Sequence, residues 1–442
     1  MTTPLTIGAL RRAYLSSEAT PTSVMAKLAS RFSDPDQRAV WISTISPEFL
    51  AERCASLEAD PAAKDLPLYG IPFSVKDNIN VAGFQTTAAC PGFAYSPETS
   101  ATIVAKAEAA GAICIGKTNL DQFATGLVGV RSPYGIPTNP FNADYIPGGS
   151  SSGAGVSVST GMVAFAIGTD TGGSGRVPAS YNGIYGLKPA PGEWSRAGLV
   201  YACRSFDTAT VFAARMEDAL KVHDTVKGSD PEDAFSAEIV TTNIAAPRVA
   251  MAGPEHIETF GDADVAALYA EAHDLISKTM DVAEADLVPF QSINDLMFFG
   301  AFLAERDVSV GAFIDANPEA CHPVVATMIQ ASRKFTAADA YRALYQTAEV
   351  RKATEPFWDA HDVLVTPTVG VLVSLAMCEE DPLGPNFRNG TYTNFASPLG
   401  LSALAVPFGK TPSNVRWGLT LYTLPERLPA AVEIAKRIAA LI

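Results

Sequence analysis

Along the first 66 residues the apolar positions recur at helical spacing. TPTSVMAKLASRF (20–32) and SPEFLAERCASLEAD (46–60) each open on a Thr or Ser that can cap a helix, then carry apolar residues three and four apart. The spacing predicts that 1–66 is a helical segment packed against a core. From residue 67 the texture changes. LYGIPFSVKDN (68–78) and AICIGKTN (112–119) are short apolar runs that stop at Gly, Pro or Asn, and TSATIVAKAEAAG between them returns to helical spacing and ends at Gly111. Strands alternating with helices predict an α/β core with helices on both faces of the sheet.

Residues 130–200 concentrate Gly, Ser and Pro yet keep apolar runs such as VSVSTGMVAFAIG (156–168), which reads as loop chemistry anchored in a core. The stretch 215–354 is mostly helical and more charged, with a polar break near PEDAF at 231 and a strand candidate in APRVAMAG (246–253). It reads as an insertion or recognition lobe. Strand texture returns in HDVLVTPTVGVLV (361–373) and LSALAVPFG (401–409), so 355–442 is expected to rejoin the sheet of a catalytic core spanning 67–214. There is no internal repeat.

Composition narrows the function classes. A chain of 442 residues with 48% hydrophobic content can bury a large core. Its 32 basic against 47 acidic side chains give a net charge of −15, which disfavours a nucleic-acid or anionic-membrane surface, so any bound anion must meet local cations. No stretch approaches 18 uninterrupted apolar residues and the start lacks a secretion-signal core, which implies a cytoplasmic protein. Cys54, Cys90, Cys114, Cys203, Cys321 and Cys378 show no C-x-x-C spacing, and Cys114 within AICIG reads as a buried free thiol. The five histidines form no metal-ligand pattern, so neither a metal nor another cofactor is expected.

The chemistry concentrates in PGGSSSGAG (147–155), GTDTGGSG (168–175) and Lys76 at the end of a strand. Neither Gly loop has the Lys of a phosphate-binding loop, and neither has the spacing of a dinucleotide fold. Nucleophilic catalysis remains. Successive N–H groups in a Gly-rich turn can converge on one oxyanion, and a Ser at its end has its hydroxyl in reach of the carbonyl held there. With no His nearby, a Lys buried enough to be neutral is the reasonable base. Ordinary tight turns are the alternative for either loop alone, and they explain less when both loops and the Lys occur in order.

GIPFSVKDNINVAG, GKTNLDQFATG, PGGSSSGAG, GTDTGGSGRVPASYNGIYGLKP and DVLVTPT resemble the amidase signature family, which implies a central mixed β-sheet covered by helices on both faces and a Ser, cis-Ser, Lys triad. By position the resemblance implies Lys76 as base, Ser150 as the middle Ser behind a cis peptide from Gly149, and Ser174 as nucleophile. Thr171, Gly172 and Gly173 would form the oxyanion hole, with Asp170 and Arg176 bracing the turn as a buried pair. A non-catalytic relative would be expected to lose Lys76, Ser150 or Ser174, and all three are present.

A narrower set, WISTISPEFL, DQFATGLVGVRSPYGIP, YACRSFDTATVFA, AERDVSV and TYTNFASPLGLSALAVPFG, resembles allophanate hydrolases. That resemblance implies cleavage of an amide C–N bond in allophanate, a urea carrying an N-carboxylate, with release of ammonia. It nominates Arg306 as the cation for the carboxylate and puts Phe298, Gly126 and Ser151 at the substrate. Phe298 stands where these enzymes typically have a Tyr, which keeps the ring and removes the hydroxyl. Arg306 as a surface residue, and Ser151 and Ser152 as supports of their turn, remain open. So do another small amide or acyl-urea as substrate, and an amidotransferase of the tRNA-dependent kind in its A-type chain, though an acidic protein offers no evident tRNA surface. The expected protein is a homodimer, and these 442 residues do not include the additional C-terminal domain that many allophanate hydrolases carry.

Overall fold

In the computed structural model, which describes residues 4–32 and 35–442, one mixed sheet takes strands from every part of the chain. The strands are β1 (Trp41–Thr44), β2 (Pro72–Lys76), β3 (Ile113–Thr118), β4 (Phe165–Asp170), β5 (Tyr185–Lys188), β6 (Thr208–Ala213), β7 (Val249–Met251), β8 (Val282–Glu284), β9 (Val363–Pro367), β10 (Ser402–Lys410) and β11 (Arg416–Thr423). Their spatial order is β1-β3-β2-β4-β6-β5-β10-β11-β9-β7-β8. The trio β3, β2 and β4 is parallel, as is the far trio β9, β7 and β8, and antiparallel pairs join them through the middle.

Strands β2, β3, β4 and β6 are buried along their whole length, which requires cover on both faces. The helix Ser152–Ser159 packs on β2 and β4, Met216–Val226 on β5 and β6, and Arg176–Tyr181 and Leu428–Ala439 both pack on β10 and β11. Leu428–Ala439 buries Leu428, Ala431, Val432, Ile434, Ala435 and Ile438, an apolar stripe at helical spacing that faces the sheet.

The two helices expected near the start form as Pro21–Phe32 and Pro47–Ala59, the second capped by Ser46, whose hydroxyl accepts the Phe49 N–H at 3.2 Å. The segment 1–66 is not helical throughout, however; its residues 1–3 and 33–34 lie outside the described residues. WIST, aromatic and β-branched, forms β1 antiparallel to β3 and closes that edge of the sheet, and the Ile45 N–H continues the pairing to Ile115 O at 2.8 Å. The strand candidate in 246–253 is β7, while β8 carried no sequence signal because three residues with two exposed are too short to show a period. All six cysteines are free, and Cys114 is buried. No described helix is long and apolar enough to cross a membrane.

The parallel pair β2 and β4 positions the chemistry. Phe73 lies opposite Phe165 and Val75 opposite Ile167, with the two Phe rings stacked at 4.9 Å, so β4 runs two residues beyond the level at which β2 ends. Lys76 and Asp170 are their last residues. The helix Thr102–Ala109, whose chain then returns as β3, is stopped by Gly111 with φ of +94°, and a Cβ there would stand 2.8 Å from the Tyr69 Cα. Gly111→Ala is therefore expected to cost about 2 kcal/mol, from a left-handed backbone plus a backbone clash, seen as a lower unfolding midpoint in urea.

Candidate active site

Lys76 is fully buried, and its Nζ donates to Ser150 Oγ and to Thr169 Oγ1, both at 2.7 Å. Burial pushes its pKa down to about 7, against the pull of Asp121, Asp207 and Asp170 toward the charged form. Ser150 follows a cis peptide from Gly149. Lysine and hydroxyl thus meet as the motif order implied, and Thr169 is a second partner that the sequence reading did not single out.

The turn after β4 is shaped by Asp170. Its carboxylate accepts the N–H groups of Gly173 (2.8 Å), Gly175 (3.0 Å) and Arg176 (3.2 Å), and it forms a two-pronged pair with Arg176 through Nε (2.9 Å) and Nη2 (2.8 Å). Burial raises the Asp170 pKa, but Arg176 and these donors outweigh it and hold the carboxyl below its ordinary range. From Arg176 the chain of contacts runs on to Tyr422 Oη (3.0 Å), which donates to Tyr392 O, while Thr393 Oγ1 donates to Gly172 O (2.6 Å). Gly173 has φ of +137°, and a Cβ on it would stand 2.3 Å from Thr393 Oγ1, so only glycine fits.

This bonding corrects one expectation. The Gly173 N–H, expected in the oxyanion hole, is taken by Asp170; the turn leaves the N–H groups of Thr171, Gly172 and Ser174 without an acceptor among the described residues. Thr171 is held from the other side by Asp207, which accepts its hydroxyl together with the N–H groups of Ala202 (2.8 Å) and Cys203 (3.1 Å). Ser174 is buried in the same turn and donates to Gly126 O at 3.4 Å, with no hydrogen bond to Ser150. Gly126 therefore borders the nucleophile candidate. Ser151 does not face it: its hydroxyl donates to Thr169 O (3.1 Å) and supports β4, the alternative the sequence left open. Asp121 accepts the N–H groups of Val128, Gly129 and Arg131, and shapes the loop that carries Gly126.

Arg306 is buried at 1% exposure, which removes the surface reading. Its Nη1 donates to Met297 O (3.2 Å), its guanidinium lies 5.1 Å from the Phe298 ring centroid, and Nε and Nη2 have no partner. Burial lowers its pKa, opposed by Cys203, Asp207 and Glu305. The neighbouring Glu305 places it, accepting the Ser205 N–H (2.9 Å) and the Cys203 thiol (3.1 Å), so a segment far along the chain docks on the loop that ends at Asp207. Phe298 has its ring edge at Gly172, where an added Cβ would meet it at 3.1 Å, and it lines a cavity of about 350 Å³ with Asn294, Phe299, Phe387, Arg388 and Asn394. A buried guanidinium with unsatisfied donors, beside a turn with free N–H groups, can hold an anionic ligand against an attacking hydroxyl.

Comparison with known proteins places this geometry. The amidase family model matches residues 25–436. The chain belongs to the amidase family. Hydrolysis of amide C–N bonds is the chemistry of that family, and the mixed sheet with helices on both faces is its fold. Urea amidolyase of Saccharomyces cerevisiae is 38% identical over 403 residues, which cover 90% of this chain. The solved allophanate hydrolase of Kluyveromyces lactis is 36% identical with a TM-score of 0.92, over 98% of this chain and 72% of that one. The A-type subunit of a glutamyl-tRNA(Gln) amidotransferase from Symbiobacterium thermophilum is 37% identical over 237 residues, 53% of this chain and 49% of that protein. The chain spans 22–23% of the length of the urea amidolyases it matches.

Thr169, Asp121, Asp207, Thr393 and Asn394 carried no signal of their own in the sequence; Thr169, Asp207 and Thr393 meet Lys76, Thr171 and Gly172 across long stretches of chain. The lowered pKa of Lys76 sets a pH dependence. The neutral amine gains population as pH rises through about 7, so kcat/KM for an amide is expected to climb over that interval and then level. A profile flat from about pH 6 to 8.5 would remove Lys76 as the base.

Proposed function

We propose that this protein hydrolyses the terminal amide C–N bond of allophanate and releases ammonia through an acyl-enzyme on Ser174. The observation that carries the substrate is Arg306, a buried cation with two unsatisfied nitrogens beside the nucleophile turn. In a chain of net charge −15, such a group has its best partner in a substrate carboxylate.

In this reading neutral Lys76 takes the Ser150 proton as Ser150 takes that of Ser174, whose Oγ attacks the carbonyl carbon. The 3.4 Å contact from Ser174 to Gly126 O is long, and the hydroxyl turns to Ser150 when substrate is present. The carbonyl oxygen, now negative, meets the N–H groups of Thr171, Gly172 and Ser174. Collapse returns the relayed proton to the nitrogen, ammonia leaves, and water repeats the relay on the acyl ester to free the N-carboxylated carbamate. Asp170 and Arg176 hold the turn and do no chemistry. Similarity to urea amidolyase and allophanate hydrolase over most of the chain favours this substrate over that of a tRNA-dependent amidotransferase, whose similarity covers about half. Phe298 supports a second reading, a related small acyl-urea or amide, because the ring at this position has no hydroxyl to offer. A cytoplasmic homodimer that needs no metal or other cofactor belongs to the same proposal.

Ser174→Ala is expected to reduce ammonia release from allophanate by ~10³-fold or more, and Lys76→Ala to come close to it, since each breaks one proton path. Retention of a tenth of the activity by Ser174→Ala would refute the nucleophile assignment. Arg306→Gln is expected to raise KM for allophanate about tenfold or more, by loss of charge-assisted hydrogen bonds, and to leave a neutral short-chain amide nearly unaffected. Phe298→Tyr is expected to improve kcat/KM on allophanate; no gain would favour the second reading. Steady-state kinetics on both substrates separate these outcomes.

A further inference from the structure

Asn394 lines the same cavity as Phe298 and has no role in the proposed mechanism. It is 5% exposed, and its Oδ1 is buried without a hydrogen-bond partner. That oxygen borders the turn directly, since a Cβ added to Gly172 would stand 2.8 Å from it and 3.1 Å from the Phe298 ring. The backbone around it is firmly held: Asn394 N–H donates to Gly390 O (3.0 Å), Thr393 Oγ1 to Gly172 O (2.6 Å), and Tyr422 Oη to Tyr392 O. Two nearby asparagines show what a structural amide does here. Asn386 Oδ1 accepts the Leu127 N–H (2.7 Å), and Asn389 donates to Leu127 O (3.1 Å) while accepting from Tyr181 Oη (3.3 Å). Asn294 and Asn394 both line this cavity with an unspent Oδ1, and it is Asn394 that borders Gly172, whose N–H lacks an acceptor among the described residues.

A buried acceptor beside a free donor complements a group that carries both a donor and an acceptor, as an H–N–C=O unit does. Its carbonyl oxygen fits the N–H groups of the turn and its N–H fits Oδ1. A carboxylate fits Arg306 instead and would meet Oδ1 unfavourably. We propose that the Asn394 carboxamide reads the N–H of the amide or urea under attack, so that the site selects primary amides and ureas over esters and fully N-substituted amides that carry the same carboxylate. This rests on the proposed amide hydrolysis at the same site and adds to it a second point of recognition. Arg306 reads the anion, and Asn394 reads the N–H.

The test compares malonamate, a carboxylate with a primary amide, with monomethyl malonate, which has the same carboxylate and an ester without N–H. In Asn394→Ala and Asn394→Leu, kcat/KM for malonamate is expected to fall about tenfold or more while that for the ester changes by about twofold or less, so the amide-to-ester ratio drops. Equal losses on both substrates, or no loss on the amide, overturn the proposal, because a merely structural residue moves both alike. The same comparison is read as binding on Ser174→Ala, with and without Asn394→Leu, where weaker binding of malonamate alone is the supporting result and parallel weakening the contrary one. If the unsubstituted protein leaves allophanate intact while the ratio shifts as stated, the proposed substrate falls and the role of Asn394 stands. If it cleaves allophanate and the ratio does not move, only the role of Asn394 falls.

Discussion

The buried pair of Asp170 and Arg176 holds the two levels of this structure together. Asp170 ends a central strand, and its carboxylate gathers three N–H groups of the next turn as well as the guanidinium. Arg176 then reaches through Tyr422 of β11 to Tyr392, so the Ser174 turn is tied across the sheet to the segment carrying Thr393 and Asn394. Breaking a buried pair by removing one partner costs about 3–5 kcal/mol, because the other charge is left uncompensated. The arrangement that stabilises the core therefore also decides which N–H groups of the turn stay free.

Two buried lysines at the ends of neighbouring strands show how partner type sets chemistry. Lys117, near the end of β3, has its pKa lowered by burial but lies 2.9 Å from the Asp77 carboxylate, a counter-charge that opposes the shift and favours the ammonium form. Lys76, at the end of β2, meets only hydroxyls, from Ser150 and Thr169, and keeps its carboxylates at a distance. Burial then pushes it to about 7, where an amine can accept a proton and give it back. An aspartate within hydrogen-bonding reach of Lys76 would oppose this.

The same separation governs the proposed anion site. A net charge of −15 opposes an anionic ligand at long range, so attraction has to come from a cation at short range in a dry pocket. Arg306 meets that condition through burial and unspent donors, with Phe298 against its guanidinium. It arrives there because Glu305 docks on the loop of Cys203 and Ser205. A carboxylate one residue away thus positions the cation without pairing with it.

Period and punctuation in the sequence determined the elements around the site: the apolar runs ending at Lys76 and in GKTN, the helix stopped by Gly111, and the Gly-Ser turns with their order along the chain. Local chemistry determined them, since a strand needs its own apolar run and a tight turn its own glycines. Within the turn the Gly173 N–H is spent locally on Asp170, whereas tertiary structure alone decided that Asp207 anchors Thr171 from 36 residues on. It also decided that Ser151 supports β4, that WIST closes a sheet edge, and that Asn394 comes beside Gly172. Hydrogen bonds between residues remote in the chain leave no period in the sequence. Whether a polar side chain is spent or free depends on the partner that folding brings to it.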